Sequence, residues 1–155
     1  MNADESKAKL VQDLNFSDEK IAKLEIFVNE VLNYNKKYNL ISKNSENDIW
    51  LRHVLDSAQL IKFIKPQKNY SLADLGTGAG FPGIVLSIFY SDVLAFHVKL
   101  YEKSPVKSNF IKAIIHKMRL KADIYDNDYQ YHILNSNYII CRAFKKLPEI
   151  LRISR

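Results

Sequence analysis

The chain carries, at residues 72–83, the sequence Leu72-Ala73-Asp74-Leu75-Gly76-Thr77-Gly78-Ala79-Gly80-Phe81-Pro82-Gly83. These twelve residues contain all four glycines of the 155-residue protein. One apolar run precedes the glycines and a second one follows at 84–89, so the pattern predicts a buried strand, a glycine-rich loop and a buried helix. In α/β folds this arrangement binds a ligand at the carboxyl end of the strand, because glycine accepts positive φ and lets a ligand approach the backbone.

The spacing of the glycines narrows the choice of ligand. A dinucleotide fingerprint, G-x-G-x-x-G, would need a glycine where Phe81 stands, which disfavours nicotinamide and flavin binding. No Gly-Lys-Ser/Thr follows, so the loop is not a Walker phosphate loop. The remaining pattern, Asp74-x-Gly76-x-Gly78-x-Gly80, resembles the first motif of the S-adenosylmethionine-dependent methyltransferases. A tight turn without a ligand is the alternative.

Composition limits the class of protein and of partner. A hydrophobic content of 47% is enough for a packed core and argues against wholesale disorder. The net charge is +6, from 23 Lys and Arg against 17 Asp and Glu, which suits a polyanionic partner such as nucleic acid. The single cysteine, Cys141, excludes an internal disulfide and fits a reducing compartment. We expect a cytoplasmic protein with no signal peptide, membrane span or metal site.

Three helices are predicted before the glycine loop. The first covers residues 4–14, and the second begins at an N-cap, Ser17, and continues to about Asn35. Ser45-x-x-Asp48 resembles a capping box and predicts a third helix that ends near residue 64. These helices are expected to pack on the α/β body. We therefore predict one domain over 1–155, with a helical part at 1–66 and an α/β part at 70–155.

Two stretches of the helical part are candidate RNA surfaces. Residues 34–42 mix tyrosine, asparagine and lysine, including Lys36 and Lys37, which suits base stacking and phosphate contact. A helix end on a basic face is the alternative. In the third helix, Arg52 and Asp56 are four residues apart, which allows them to pair on the helix surface. His53 lies beside them, and a structural network or a solvated face is the plainer interpretation.

The second half of the chain alternates further strands and helices. The pattern predicts a strand at 95–101 that ends at Glu102, which lies 22 residues after Gly80, where related folds bind ribose hydroxyls with an acid. A helix follows Ser104-Pro105. Its basic residues, among them Lys103 and Lys107, form a candidate phosphate-facing surface. Further strands are predicted at 122–125 and 138–141.

Five pieces in order make the resemblance specific. They are Asn39-Leu40-Ile41-Ser42, Arg52-His53-Val54-Leu55-Asp56-Ser57, Asp74 to Ile84, Glu102-Lys103-Ser104 with Phe110, and Cys141-Arg142-Ala143-Phe144. Together they resemble the RsmG (GidB) family, the guanine-N7 methyltransferases of bacterial small-subunit (16S) ribosomal RNA. The resemblance covers residues 20–151.

The resemblance implies a Rossmann-like class I methyltransferase fold and S-adenosylmethionine as cofactor. It implies that Gly76, Phe81 and Arg142 line the cofactor site with the other motif residues Asp74, Gly78 and Gly80, that Glu102 holds the ribose, and that Asn127 and Asp128 lie near the adenine. The RNA-binding candidates are Lys36, Lys37, Arg52, His53, Lys103 and Lys107. The partner would be ribosomal RNA or the small ribosomal subunit.

Two features of the resemblance bear on activity. The family continues with further strands, whereas this chain ends at Arg155, so the later strands are expected to be missing and one sheet edge open. An inactive RNA-binding or assembly module, or a methyltransferase of another substrate, are therefore alternatives. No catalytic side chain is predicted, since guanine N7 carries no proton and needs only positioning.

Overall fold

Two helices, α1 (Ala3–Leu14) and α2 (Asp18–Asn35), open the chain in the computed structural model. The structure describes residues 1–125, 134–142 and 145–154. Ser17 caps α2, as predicted: its hydroxyl accepts the Lys20 N–H at 3.3 Å. The α2 helix ends at Asn35, where the apolar spacing of the sequence also ends.

The third helical region differs from the prediction. The expected capping box at Ser45 is wrong: Lys43–Ser45 forms a 3-10 turn, and the Ser45 hydroxyl donates to the Ser42 carbonyl at 2.8 Å. A continuous helical run follows, which we call the mixed helix (residues 50–63). It consists of a π-helical stretch, Trp50–Leu55, the α-helical turn α3, Asp56–Ala58, and a 3-10 stretch, Gln59–Phe63. Short π-helical stretches are frequent at functional sites.

Over the described residues, four parallel strands form one sheet, in the order β3-β2-β1-β4. They are β1 (Ser71–Leu75), β2 (His97–Tyr101), β3 (Ala122–Tyr125) and β4 (Tyr138–Cys141). The bounds of β3 and β4 agree with the sequence prediction. The β2 strand begins two residues later than predicted, because Ala95 has a φ of 55°, which an extended strand cannot contain.

Helices connect the strands and cover the sheet. The glycine loop leads from β1 into α4 (Gly83–Phe89), and α5 (Pro105–Met118) joins β2 to β3. A short helix, α6 (Leu147–Ile153), follows β4. Pro105 occupies the first turn of α5, as the sequence predicts, and the structure makes Ser104 its N-cap.

One buried hydrophobic cluster joins the helical part to the sheet. It includes Phe27 of α2, Val54 of the mixed helix, Leu72 of β1 and Ile84 of α4. A smaller cluster on the other face of β1 contains Ala73 and Leu75. The helices before the sheet therefore pack against the body that carries the glycine loop. No helix within the described ranges is both long and apolar enough to span a membrane.

Candidate functional site

The carboxyl ends of three parallel strands lie at one edge of the sheet. In the register, Leu75 pairs with both Tyr101 and Cys141. The residues that follow these three are Gly76, Glu102 and Arg142. The chain order reverses across β1, which has β2 on one side and β4 on the other. Such a reversal opens a crevice beyond the strand ends, where ligands of α/β folds bind.

The glycine loop turns over the end of β2. The φ angles of Gly76, Gly78 and Gly80 are 71°, 61° and 104°. The backbone N–H groups of Gly76 and Thr77 both donate to the Tyr101 carbonyl, at 2.9 and 3.0 Å. Most side chains are strained at these angles, asparagine least among them, so the path of the loop favours glycine.

The glycines differ in what surrounds them. A Cβ at Gly80 would lie 2.7 Å from Ile84 Cγ1, and a Cβ at Gly83 would lie 2.6 Å from Asp74 Oδ2. A Cβ at Gly78 would meet nothing within 4 Å. Gly80 and Gly83 therefore permit close packing inside the protein, whereas Gly78 borders open space that a ligand can enter.

The Glu102 carboxylate lies against that open side of the loop. Its Oε2 accepts the Gly78 N–H at 2.9 Å, and its Oε1 accepts the Ser104 N–H at 2.8 Å. Ser104 is the N-cap of α5, whose N-terminus favours a nearby negative charge. The structure thus brings Glu102 to the loop, next to the glycine that has free space.

Asp74 lies beneath the loop and is fully buried. Its Oδ2 accepts the Gly83 N–H at 2.8 Å, which ties the end of β1 to the start of α4. Burial raises the pKa of Asp74 to about 6, against the opposing effect of Thr77 and of the Gly83 amide. Among the described residues, neither Asp74 Oδ1 nor the Thr77 hydroxyl makes a hydrogen bond of normal geometry. The nearby Thr77 hydroxyl nonetheless lowers the pKa of Asp74. In this structure Asp74 shapes the loop, and its contact with a cofactor stays a prediction.

Phe81 packs between two aromatic side chains. Its ring centroid lies 5.0 Å from that of Phe27 and 5.0 Å from that of His53. Only 3% of Phe81 is exposed. Phe81 therefore connects the glycine loop to the mixed helix, and its place as a cofactor contact stays a prediction.

Arg142, at the end of β4, makes hydrogen bonds with three residues of the mixed helix. Its Nη1 donates to the Arg52 carbonyl at 3.2 Å and to Asp56 Oδ2 at 3.3 Å. Its Nη2 lies 2.9 Å from His53 Nδ1. On the other side of the imidazole, His53 Nε2 lies 2.9 Å from Ser45 Oγ. We call Ser45, His53, Asp56 and Arg142 the Arg142 cluster.

One pairing that the sequence allows does not form. The spacing allowed an ion pair between Arg52 and Asp56, but Arg52 Nε contacts Asp48 Oδ2 at 3.5 Å, one turn earlier. Both Asp48 and Asp56 lie four residues from Arg52, so helical spacing allows either to pair with it. Asp56 pairs with Arg142 instead, which is far away in the chain.

An open cavity of about 560 Å³ adjoins the cluster. It is lined by Ser42, Ser45, Leu51, Arg52, His53, Asp56 and Gln59. Two RNA-binding candidates, Arg52 and His53, are therefore at a concave surface. The Arg52 side chain is 61% exposed, so its guanidinium is accessible to a ligand.

The other RNA-binding candidates are surface lysines. Lys36, Lys37 and Lys103 are exposed, and Lys107 is half-buried in the first turn of α5. Tyr34 stacks on Tyr38 at 4.8 Å, and its other contact is with Phe110 of α5. One tyrosine of the 34–42 stretch is thus used for packing, whereas Tyr38 remains 44% exposed. RNA contact at these lysines stays a prediction.

Sequence reasoning missed Ser45 and Asp56 as members of the site. No spacing signal relates them to Arg142, because β4 and the mixed helix are about ninety positions apart in the chain, as the separation of 89 between His53 and Arg142 shows. Asn127 and Asp128, the candidates for the adenine side, lie outside the described residues.

Comparison with known sequences points to one family. Residues 20–155 match the family model described as rRNA small subunit methyltransferase G. A protein of Pelagibacter ubique (strain HTCC1062), named ribosomal RNA small subunit methyltransferase G, is 35% identical over 92% of this chain and 68% of its own. The protein of the same name from Rickettsia bellii (strain OSU 85-389) is 39% identical over 85% of this chain and 66% of its own. The chain thus spans about two thirds of the length of these relatives.

Comparison with solved structures supports the fold. The structure of coclaurine N-methyltransferase bound to N-methylheliamine and SAH matches with a TM-score of 0.57. The match covers 98% of this chain and 52% of that one, at 14% sequence identity. At this identity the similarity shows the fold alone, which is the Rossmann-like methyltransferase fold that the sequence resemblance implies.

Proposed function

Because this chain belongs to the rRNA small subunit methyltransferase G family, we propose that it methylates N7 of a guanine in small-subunit ribosomal RNA, with S-adenosylmethionine as the methyl donor. The observation that carries the proposal is the pairing of Gly78 with Glu102. A glycine whose Cβ position is open and a carboxylate 2.9 Å from its amide lie together at the crevice beyond β1. The family relationship suggests the acceptor, and this geometry supports the cofactor.

The residues of the crevice fit the cofactor. Glu102 offers two carboxylate oxygens, which suit two ribose hydroxyls, and its present donors are backbone amides of the loop and of α5. The open space at Gly78 suits an adenosyl group that passes close to the backbone. When bound, S-adenosylmethionine supplies a methyl group on a positively charged sulfur. Arg142, Glu102 and the loop would set the position of that group.

Methyl transfer to guanine N7 needs no acid or base side chain. Guanine N7 is a hydrogen-bond acceptor at the base edge and carries no proton, so no general base is needed. The chain's contribution is to orient the base and to exclude water. The cavity beside the Arg142 cluster is concave and polar, with Arg52, His53 and Asp56 in its lining. It is the part of the described surface that best suits an extruded base.

The wider surface agrees with an RNA partner. The net charge of +6 and the exposed lysines near the end of α2 favour a polyanion. We propose that the chain acts on ribosomal RNA or on the small subunit, in the cytoplasm, and that its helical part and α/β part work as a single domain. The shared hydrophobic core of Phe27, Val54 and Leu72 supports that unity.

Methyl incorporation into small-subunit RNA tests the proposal. The protein is incubated with the RNA and methyl-labelled S-adenosylmethionine, and the RNA is digested to nucleosides. We expect label in 7-methylguanosine, and none with an Arg142→Ala variant. RNA binding without any methyl incorporation would contradict the proposal and favour a non-enzymatic assembly module. Label in another nucleoside would support S-adenosylmethionine as the methyl donor and contradict guanine N7 as the acceptor.

A further inference from the structure

The hydrogen bonds of the Arg142 cluster determine the tautomer of His53. A guanidinium only donates, so the 2.9 Å contact from Arg142 Nη2 requires His53 Nδ1 to accept. The imidazole proton of the neutral ring is then on Nε2. The Ser45 hydroxyl donates to the Ser42 carbonyl at 2.8 Å, so its oxygen is able to accept from His53 Nε2–H at 2.9 Å. Every proton in this chain of contacts has one acceptor.

The surroundings of His53 keep the ring neutral. Burial lowers the pKa of His53 to about 4, with Arg142 and Arg52 adding to the effect and Asp56 opposing it. Phe81 covers the ring from the glycine loop and brings no charge. A second proton on Nδ1 would point at the guanidinium, which would break the contact.

Among the described residues, the partners of the Arg142 guanidinium all belong to the mixed helix. Nη1 donates to the Arg52 carbonyl and to Asp56, and Nη2 donates to His53. The guanidinium has five N–H donors in a fixed plane. Within the described part of the chain, Nε–H and the second Nη2–H have no acceptor. The direction in which these two donors point is therefore set by the groups that hold the other three.

We propose that His53 is a positioning residue of the methyl-transfer site, which fixes the Arg142 guanidinium beside the glycine loop as a neutral imidazole protonated on Nε2. The effect on turnover rests on the proposed function. The tautomer and the immobilisation of Arg142 rest on the geometry alone. In this role His53 acts through Arg142, whether or not its exposed edge in the cavity also contacts the base.

Two substitutions separate the two nitrogens of the ring. In His53→Asn, the side-chain oxygen can take the position of Nδ1, so the acceptor for Arg142 is kept and the contact with Ser45 is lost. In His53→Gln, the longer amide reaches the position of Nε2, so the contact with Ser45 is kept and the acceptor for Arg142 is lost. His97→Gln is the matched control, because His97 bonds Asp123 at the amino end of β2, at the far end of the sheet.

The first readout is independent of activity. Nitrogen-15 NMR of the imidazoles should show His53 protonated on Nε2 and bare on Nδ1 at neutral pH. The Arg142 guanidinium protons should be protected from exchange with water in the wild type and in His53→Asn, and should exchange freely in His53→Gln. A proton on Nδ1, or equal exchange in the two variants, would overturn the proposal even if the protein were an active methyltransferase.

The second readout is turnover on RNA. Loss of one hydrogen bond to a charged group should lower kcat of His53→Gln to about one tenth of that of His53→Asn, with the same KM for RNA in the two variants, while His97→Gln stays within about threefold of the wild type. Equal losses in both His53 variants would mean a merely structural histidine. A wild type without activity would reject the proposed function, and the NMR comparison would still decide the role of His53.

Discussion

Glu102 is the single side chain on which the proposed cofactor site most depends. It is the acidic group that borders the open side of the loop at Gly78. Glu102→Gln keeps the shape but removes the charge that would accept two ribose hydroxyls. Charge-assisted hydrogen bonds contribute about 1.5–3 kcal/mol, so affinity for S-adenosylmethionine should fall about tenfold or more.

Calorimetric titration measures that affinity, with Glu149→Gln as the control. Glu149 pairs with Lys145 at the start of α6 and is remote in sequence from the loop. Unchanged binding by Glu102→Gln would show that the ribose contact lies elsewhere and that Glu102 serves only to tie Gly78 to Ser104.

The glycines of the loop should respond differently to substitution. Gly78→Asn places a side chain in the open space, and asparagine tolerates the φ of 61°, so the fold should persist while cofactor binding is lost. Gly80→Ala forces a methyl group against Ile84 and should lower the melting temperature by several degrees. Thermal melts with and without cofactor distinguish the two effects. Cofactor binding by a folded Gly78→Asn variant would reject the assignment of the crevice.

Between pH 4 and 6, the contributions of Asp74 and His53 to the free energy of unfolding should change with pH in opposite directions. The pKa of Asp74 is raised to about 6, so the folded state binds its proton more tightly and this contribution falls as pH rises. The pKa of His53 is lowered to about 4, so the unfolded state binds more protons and this contribution grows as pH rises.

Urea denaturation of two variants across this range measures both terms. Relative to the wild type, Asp74→Asn should gain about 2 kcal/mol as pH rises from 4 to 6, since each pKa unit is worth about 1.4 kcal/mol. His53→Asn should move in the opposite direction. Stability curves parallel to that of the wild type would show that these two groups titrate normally.

At the scale of elements, the sequence predicts what hydrophobic periodicity and local caps determine. Ser17, Ser104-Pro105 and the apolar strands are local signals, and the corresponding elements form at the predicted places. Ser45 misled the prediction because its hydroxyl bonds the Ser42 carbonyl, three residues earlier, and His53, eight residues later, instead of a helix amide. The contact of Arg142 with His53 depends on the parallel pairing of β4 with β1, which no local pattern contains.

The connection between α2 and the mixed helix depends on one asparagine. Asn35 Oδ1 accepts the N–H groups of Leu40 and Ile41, at 2.7 and 3.0 Å, and both residues are buried. Asn35→Ala leaves those amides without an acceptor and should lower the free energy of unfolding by about 1–3 kcal/mol. Asn33→Ala, on the exposed side of the same helix, should change it by less than about 0.5 kcal/mol. Chemical denaturation compares the two, and equal effects would contradict this role of Asn35.

At the scale of the molecule, the basic surface should govern RNA affinity without affecting the cofactor site. Lys36→Glu with Lys37→Glu reverses two exposed charges at the end of α2. Each neutralised phosphate contributes about −0.7 to the slope of log affinity against log salt on single strands, so losing two contacts should flatten the slope by about one unit or more. Cofactor affinity should not change.

The matched control reverses Lys65 and Lys68. These exposed lysines precede β1, at the end of the sheet opposite the glycine loop. Binding of a small-subunit RNA fragment is titrated at several salt concentrations for both double variants. Equal slopes for the two would mean that the 34–42 stretch is a solvated helix end and that the RNA surface lies elsewhere, with Lys103 and Lys107 the next candidates.

The most direct test of the account is a calorimetric titration of the wild-type chain with S-adenosylmethionine, alongside Gly78→Asn. The account predicts saturable binding at one site per chain for the wild type and none for the variant, with both proteins folded. Absence of binding by a folded wild-type chain would contradict the central claim that the crevice between Gly78, Glu102 and Arg142 is a cofactor site.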